Sequence, residues 1–74
     1  MMKKPDKDTY ITLGQALKKY DLAATGGMAK SLILNGEVFV DGVLETRRGR
    51  KLFGGEVIRV GDQQAKVDHG RHAT

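Results

Sequence analysis

The chain has 74 residues, of which 39% are hydrophobic and 30% are charged, and it contains no cysteine. This length allows one small domain with a single core, and the lack of cysteine excludes a disulfide framework and a thiolate metal site. Its apolar runs are far shorter than the roughly twenty residues of a membrane span, and its first residues lack the apolar core of a signal peptide. We therefore expect a cytoplasmic protein that does not bind membranes.

Residues 1–9 are polar and charged, as in a flexible tail. A first helix is predicted to begin after Thr12, because Gln15 stands three positions later, at the spacing of a capping box. Its apolar positions recur at helical spacing: Leu13, Ala16, Leu17 and Tyr20. Leu22 in the following connection is predicted to enter the core.

A second helix is predicted to begin after Thr25, which is a favourable capping residue. Asn35-Gly36 ends it, since glycine accepts the left-handed conformation found after many helices. The predicted apolar stripe of this helix is Met28, Ala29, Leu32 and Ile33.

The spacing of the apolar residues then changes to every second position, which is typical of strands. Val38 and Val40 share one face, and Asp41-Gly42 predicts a two-residue type I′ turn into a returning strand at 43–46. A third strand is predicted at 56–60, and residues 63–74 show no pattern and are expected to be a tail. The predicted fold is α+β: a two-helix hairpin packed on a small antiparallel sheet of about three strands, in a domain spanning 10–62.

The positive charge is concentrated in one place. Thirteen Lys and Arg against nine Asp and Glu give a net charge of +4, and the basic segment, residues 47–51, holds four cations and no carboxylate. Such a cluster favours a polyanion, most often nucleic acid, although a solvated loop that serves solubility is an alternative. We expect its guanidinium groups to be free of the protein's own carboxylates. Phe39 is the only candidate ring for stacking on a base, and the alternative is that this ring is covered.

Thr25-Gly26-Gly27 is a second candidate anion site. Paired glycines leave the backbone N–H groups at a helix start unshielded, where the helix dipole favours a phosphate. The alternative is that the glycines only permit a sharp turn between the helices.

Catalysis is not expected. The only histidines, His69 and His72, stand in the predicted tail, and no third metal ligand or activated nucleophile accompanies them. We therefore expect no enzyme activity, no metal and no cofactor.

The order of these parts resembles the S4-type RNA-binding domain. The stretches that carry the resemblance are Thr25-Gly26-Gly27-Met28-Ala29-Lys30, Gly36-Glu37-Val38, Val40-Asp41-Gly42 and Glu45-Thr46-Arg47. They are similar to the small stand-alone bacterial proteins of the YaaA/YbcJ type, over about residues 10–62. This chain has Tyr10-Ile11-Thr12 where many S4 domains have Arg-Leu-Asp, and Gly26-Gly27 where many have a Ser-Arg pair.

The resemblance implies a non-enzymatic monomer that docks on structured RNA, either ribosomal RNA in a ribosomal subunit or transfer RNA. It also implies RNA contacts at the second helix (Thr25, Gly26, Gly27 and Lys30) and at the basic segment (Arg47, Arg48, Arg50 and Lys51). The alternative function is a protein-interaction adaptor that docks its basic segment on an acidic protein surface.

Overall fold

The first helix begins at a capping box, as the sequence predicts. In the structure, a computed structural model that describes residues 10–68, helix α1 spans Leu13–Lys19. Thr12 Oγ1 accepts a hydrogen bond from the Gln15 N–H at 3.3 Å, and Gln15 Oε1 accepts one from the Thr12 N–H at 3.0 Å. These bonds satisfy backbone donors that no helical carbonyl reaches, so local side chains determine where α1 starts.

Helix α2 spans Gly26–Leu34 and packs against α1. Thr25 Oγ1 accepts a hydrogen bond from the Met28 N–H at 3.0 Å, and Gly36, with φ of 75°, follows the end of the helix. The predicted stripe is buried at Ala29 and Ile33, but Met28 is 46% exposed. The prediction for Met28 is therefore wrong, and Leu32 is only partly buried.

Two antiparallel sheets accompany the helices, one more sheet and more strands than the sequence predicts. Within residues 10–68 the strands are β1 (Ile11–Thr12), β2 (Val38–Val40), β3 (Val43–Leu44), β4 (Lys51–Leu52), β5 (Val57–Val60) and β6 (Gln63–Lys66). One sheet has the order β3-β2-β5-β6, and the other is a ribbon formed by β1 and β4. The α+β class and the helix pair are confirmed.

The turn between β2 and β3 has the predicted geometry. Asp41 and Gly42 have φ of 53° and 81°, and Val40 pairs directly with Val43 across the two-residue loop. Positive φ at both central positions is the requirement of a type I′ turn. The Asp41 carboxylate also accepts a hydrogen bond from the Val57 N–H at 3.0 Å, which attaches the turn to β5.

The expectation of a tail from residue 63 onwards is wrong for its first residues. β6 pairs with β5 along its whole length, Val67 is buried, and its N–H donates to Glu56 O at 2.7 Å. The Asp68 N–H donates to the Tyr20 hydroxyl at 2.8 Å. A strand at the edge of a sheet with a solvated face does not require alternating apolar residues. For this reason the sequence Gln-Gln-Ala-Lys at 63–66 did not predict a strand.

The core lies between the helix pair and the two sheets. Its buried hydrophobic residues are Ile11, Leu13, Ala16, Leu17, Leu22, Ala23, Ala29, Ile33, Val38, Val40, Leu52, Ile58 and Val67. Leu22, predicted to enter the core, does so. Among residues 10–68, no helix has the length and apolar character to span a membrane.

Candidate nucleic-acid interface

The basic segment is organised around a buried carboxylate. Glu45 is 7% exposed, and its oxygens accept hydrogen bonds from the Arg47 N–H, Nε and Nη2 at 2.9, 3.0 and 3.1 Å and from Arg50 Nη1 at 3.2 Å. The hydrogen bonds from Arg47 lower the pKa of Glu45 to about 2, although burial acts to raise it. The expectation that every guanidinium group is free of the protein's carboxylates is therefore wrong for Arg47 and Arg50.

The same carboxylate ends strand β3. The sequence predicts a strand through Thr46, but β3 stops at Leu44. Glu45 still donates its N–H to Val38 O at 3.0 Å, after which the chain bends so that its carboxylate receives the Arg47 backbone N–H. Hydrogen bonds between Arg47 and Glu45 therefore take the place of further hydrogen bonds between β3 and β2.

Arg47 remains available to an outside acceptor despite its ion pair. Its side chain is 73% exposed, whereas that of Arg50 is 31% exposed. A guanidinium group has five N–H donors, and Glu45 takes only the Nε and one Nη2 donor of Arg47. The pair thus orders Arg47 without consuming its hydrogen-bonding capacity.

Backbone hydrogen bonds attach the basic segment to the start of α1. The Leu13 N–H donates to Arg50 O at 2.8 Å, and the Gly14 N–H donates to Arg48 O at 3.0 Å. These donors belong to the first helical turn, where no helical carbonyl is available. The segment therefore caps α1 and is held in a fixed position beside it.

Arg48 crosses the first turn of α1 where residue 14 has no side chain. A Cβ atom on Gly14 would lie 2.8 Å from Arg48 Cγ and 3.3 Å from Arg48 Cδ. Glycine normally weakens a helix by about 1 kcal/mol relative to alanine, so its presence in the first turn is explained by this close approach. Within residues 10–68, Arg48 forms no ion pair.

An open cleft of about 380 Å³ lies between this segment and the two helices. Among residues 10–68, two cationic side chains, Lys18 and Arg48, line it, and no carboxylate does. The complete lining is Thr12, Gly14, Gln15, Lys18, Gly26, Arg48 and Gly49. The cleft thus places the basic segment beside the first residue of α2.

The start of α2 is open to solvent. The amides of Gly26 and Gly27 occupy the first two helical positions, which precede the first intrahelical donor. A Cβ atom on Gly26 would meet nothing within 4 Å, and one on Gly27 would lie 3.9 Å from Thr25 Oγ1. Space for a side chain exists at both positions, so steric crowding within the protein does not account for the glycine pair.

Lys51 lies on the other side of the segment, against an aromatic pair. Its Nζ is 5.2 Å from the centroid of the Tyr10 ring, and the Tyr10 and Phe53 rings are 6.0 Å apart at 63°. Phe53 is 52% exposed. Phe39, in contrast, is half-buried beneath the Arg59 guanidinium, whose Cζ is 4.6 Å from the ring centroid. Phe39 is therefore partly covered, in line with the alternative, and the exposed ring is Phe53, which the sequence did not indicate.

A family model described as S4 domain matches residues 5–68, nearly the whole chain. The chain belongs to the S4 domain family. The resemblance drawn from the sequence motifs is thus confirmed, and the match includes β6, which the predicted boundary at residue 62 had left out. S4 domains are RNA-binding domains, and this chain is therefore assigned to that class.

A curated relative supports the same family. Over 50 residues the chain is 48% identical to the "Probable ribosome maturation protein RlbA" of Bacillus subtilis (strain 168), and the match covers 68% of this chain and 70% of the relative.

In this S4 domain the predicted site residues occupy four different positions. Arg48 and Gly26 line the cleft, and Thr25 and Gly27 flank Gly26. Arg47 and Arg50 bind Glu45, and Lys51 lies over Tyr10. Lys30 is exposed on α2.

Sequence reasoning missed Glu45 and Gly14 as parts of one arrangement. A glycine in the first turn of a predicted helix was the available signal for Gly14, and a glutamate two positions before an arginine was the signal for Glu45. Neither signal is specific alone.

Within the described range 10–68, no group of three His, Asp or Glu residues is placed to hold a metal ion. His69 and His72 lie outside the described residues, so the prediction that they stand in a tail and bind no metal is not tested.

Proposed function

We propose that this S4 domain binds folded ribosomal RNA without catalysing a reaction, and that the cleft between the basic segment and the two helices receives the sugar-phosphate backbone. The observation that carries the proposal is the cleft itself: two cations and the open start of α2 line it, and no carboxylate in the described part of the chain does. The relative's name, a ribosome maturation protein, supports a ribosomal partner.

Each part of the cleft has a role in this proposal. Arg48 and Lys18 neutralise phosphates, and the guanidinium of Arg48 is able to donate two parallel hydrogen bonds to one of them. The Gly26 and Gly27 amides orient a phosphate at the positive end of the α2 dipole. Arg47, Arg50, Lys30 and Lys51 do not line the cleft, and in this proposal they add to the positive potential of the surface that RNA approaches.

The net charge of the basic segment together with Glu45 and Thr46 favours binding of RNA phosphates. Residues 45–51 carry one carboxylate and four cations, a net charge of +3. Since the carboxylate of Glu45 is buried and saturated with donors, it contributes order to the segment and presents little negative surface to RNA.

Sedimentation of cell lysates through sucrose gradients tests the proposal. The tagged protein is expected in fractions containing ribosomal subunits or their precursors, and nuclease treatment is expected to release it. Retention on ribosomal protein after nuclease treatment would instead support the protein-interaction adaptor.

A matched pair of variants sharpens this test. Arg48→Gln removes a cation from the cleft, whereas Lys66→Gln removes one from β6, which does not line the cleft. Co-sedimentation is expected to fall for Arg48→Gln alone. An equal loss in both variants would show that only net charge matters and would contradict a specific cleft.

A further inference from the structure

The exposed Phe53 and the half-buried Tyr10 form an aromatic pair beside the β1–β4 ribbon. Ile11 and Leu52 pair across the ribbon and are both buried. Since successive strand residues point to opposite faces, the neighbouring Tyr10 and Phe53 lie on the face turned away from the core. Their edge-to-face contact at 6.0 Å shows that they share that face. The rings are therefore not needed to fill the core.

We propose that Tyr10, Phe53 and Lys51 form a stacking platform for one unpaired nucleobase of the bound RNA; this inference rests on the proposed function. Exposed aromatic rings beside a cationic groove are the arrangement with which proteins hold unstacked bases. Every base has a π-face, so such a platform selects unpaired over paired nucleotides without reading a particular base.

The platform is continuous with the cleft. Thr12 lines the cleft and pairs with Lys51 across the ribbon. The Lys51 ammonium lies over the Tyr10 ring, which contacts Phe53. At the rise of about 3.4 Å per strand residue, Tyr10 is roughly 7 Å along the backbone from Thr12. A nucleotide whose phosphate is in the cleft is thus close enough for an adjacent base to reach the rings.

The turn after Phe53 holds this ring in place. The N–H groups of Phe53 and Gly54 donate to the two carboxylate oxygens of Glu56 at 3.0 and 2.8 Å. Burial acts to raise the pKa of Glu56, but these backbone donors outweigh it and leave the pKa lowered. Glu56 therefore stays ionised at neutral pH, and a base would bind to a surface that is already ordered.

Binding to two RNA probes tests the platform: a fully paired duplex, and the same duplex with one bulged 2-aminopurine. The wild-type chain is expected to bind the bulged probe about tenfold more tightly and to quench its fluorescence by stacking. Phe53→Leu is expected to lose both the preference and the quenching, yet to bind the paired duplex like wild type with the same salt dependence. Phe53→Tyr is expected to retain the preference.

Phe39→Leu is the matched control, because it removes a ring that Arg59 covers, and it is expected to keep the preference for the bulge. Equal wild-type binding to both probes would overturn the platform and leave the proposed function intact. A preference retained in Phe53→Leu would also overturn the platform. A wild-type chain that binds neither probe nor ribosomal RNA would instead overturn the proposed function, and with it this inference.

Discussion

Arg48 lies so close to Gly14 that a Cβ atom on residue 14 would come within 2.8 Å of Arg48 Cγ. The Gly14 N–H donates at the same place to Arg48 O at 3.0 Å. A side chain on residue 14 would therefore leave the backbone contact possible but force the Arg48 side chain out of its path across α1. Gly14 and Arg48 act as one unit in directing a cation into the cleft.

Gly14→Ala is expected to separate stability from RNA binding. Alanine favours the helix by about 1 kcal/mol, but its Cβ has to displace Arg48 Cγ, so the free energy of unfolding should change by no more than about 1 kcal/mol in either direction. RNA affinity should fall roughly three- to tenfold, since a charged hydrogen bond in the cleft is displaced. Thermal unfolding and fluorescence anisotropy with a ribosomal RNA fragment measure the two quantities.

A double-mutant cycle with Arg48→Ala provides the control. If Gly14 acts through Arg48, Gly14→Ala should have no further effect on affinity once Arg48 is removed. Additive losses would contradict the coupling.

The stability of the fold is expected to depend on Glu45 in acid. The pKa of Glu45 is lowered to about 2 from an ordinary value of 4.5, so ionised Glu45 stabilises the folded state above about pH 4.5, and this contribution is lost as the pH falls towards 2. The contribution should amount to roughly 1–3 kcal/mol. The difference in free energy of unfolding between wild type and Glu45→Gln, followed by urea titration, should be constant near neutrality and shrink below pH 4.5. A difference that does not change with pH would show that Glu45 is not ionised and paired.

Charge reversal is expected to distinguish the arginines. Arg48→Glu should abolish RNA binding with little change in Tm, because Arg48 has no ion pair within residues 10–68. Arg47→Glu combined with Arg50→Glu should lower Tm by about 5–10 °C, because the buried Glu45 carboxylate loses both partners and gains two like charges. Circular-dichroism melts measure the Tm of each variant, and fluorescence anisotropy measures RNA binding by Arg48→Glu. Equal Tm values for the two variants would show that Glu45 does not organise the segment.

Gly26→Ala tests the start of α2. The new methyl group has room, since no atom elsewhere in residues 10–68 lies within 4 Å of the Cβ position. The free energy of unfolding should therefore change by less than about 0.5 kcal/mol. Affinity for RNA should fall severalfold, because the new methyl group shields backbone amides in the cleft. Unchanged affinity would mean that these amides do not contact phosphate, and that the glycines serve the turn between the helices.

Local interactions made much of this fold predictable. The capping box of Thr12 and Gln15 and the turn at Asp41-Gly42 each depend on residues adjacent in the chain, so their side-chain chemistry is visible in the sequence. Val38 and Val40 are two positions apart and therefore share one face of a strand, which is why their burial was predictable.

Pairings between distant segments were not predictable. β1 and β4 have two residues each, too few for a period, and they meet across 38 intervening residues at the Thr12–Lys51 pair. β6 is a polar edge strand without alternation. The residues of the candidate site were predicted, but their different roles were not. Four cations in sequence look equivalent, and only the fold shows that Arg47 and Arg50 bind Glu45 while Arg48 lines the cleft.

The salt dependence of RNA binding tests the central claim most directly. With roughly three to four phosphates neutralised, the logarithm of the wild-type association constant should fall against the logarithm of salt concentration with a slope of about −3. Arg48→Gln should reduce that slope by about one, and Lys66→Gln should leave it unchanged. A flat wild-type titration, or the same slope for Arg48→Gln as for wild type, would contradict the binding of RNA phosphates in this cleft.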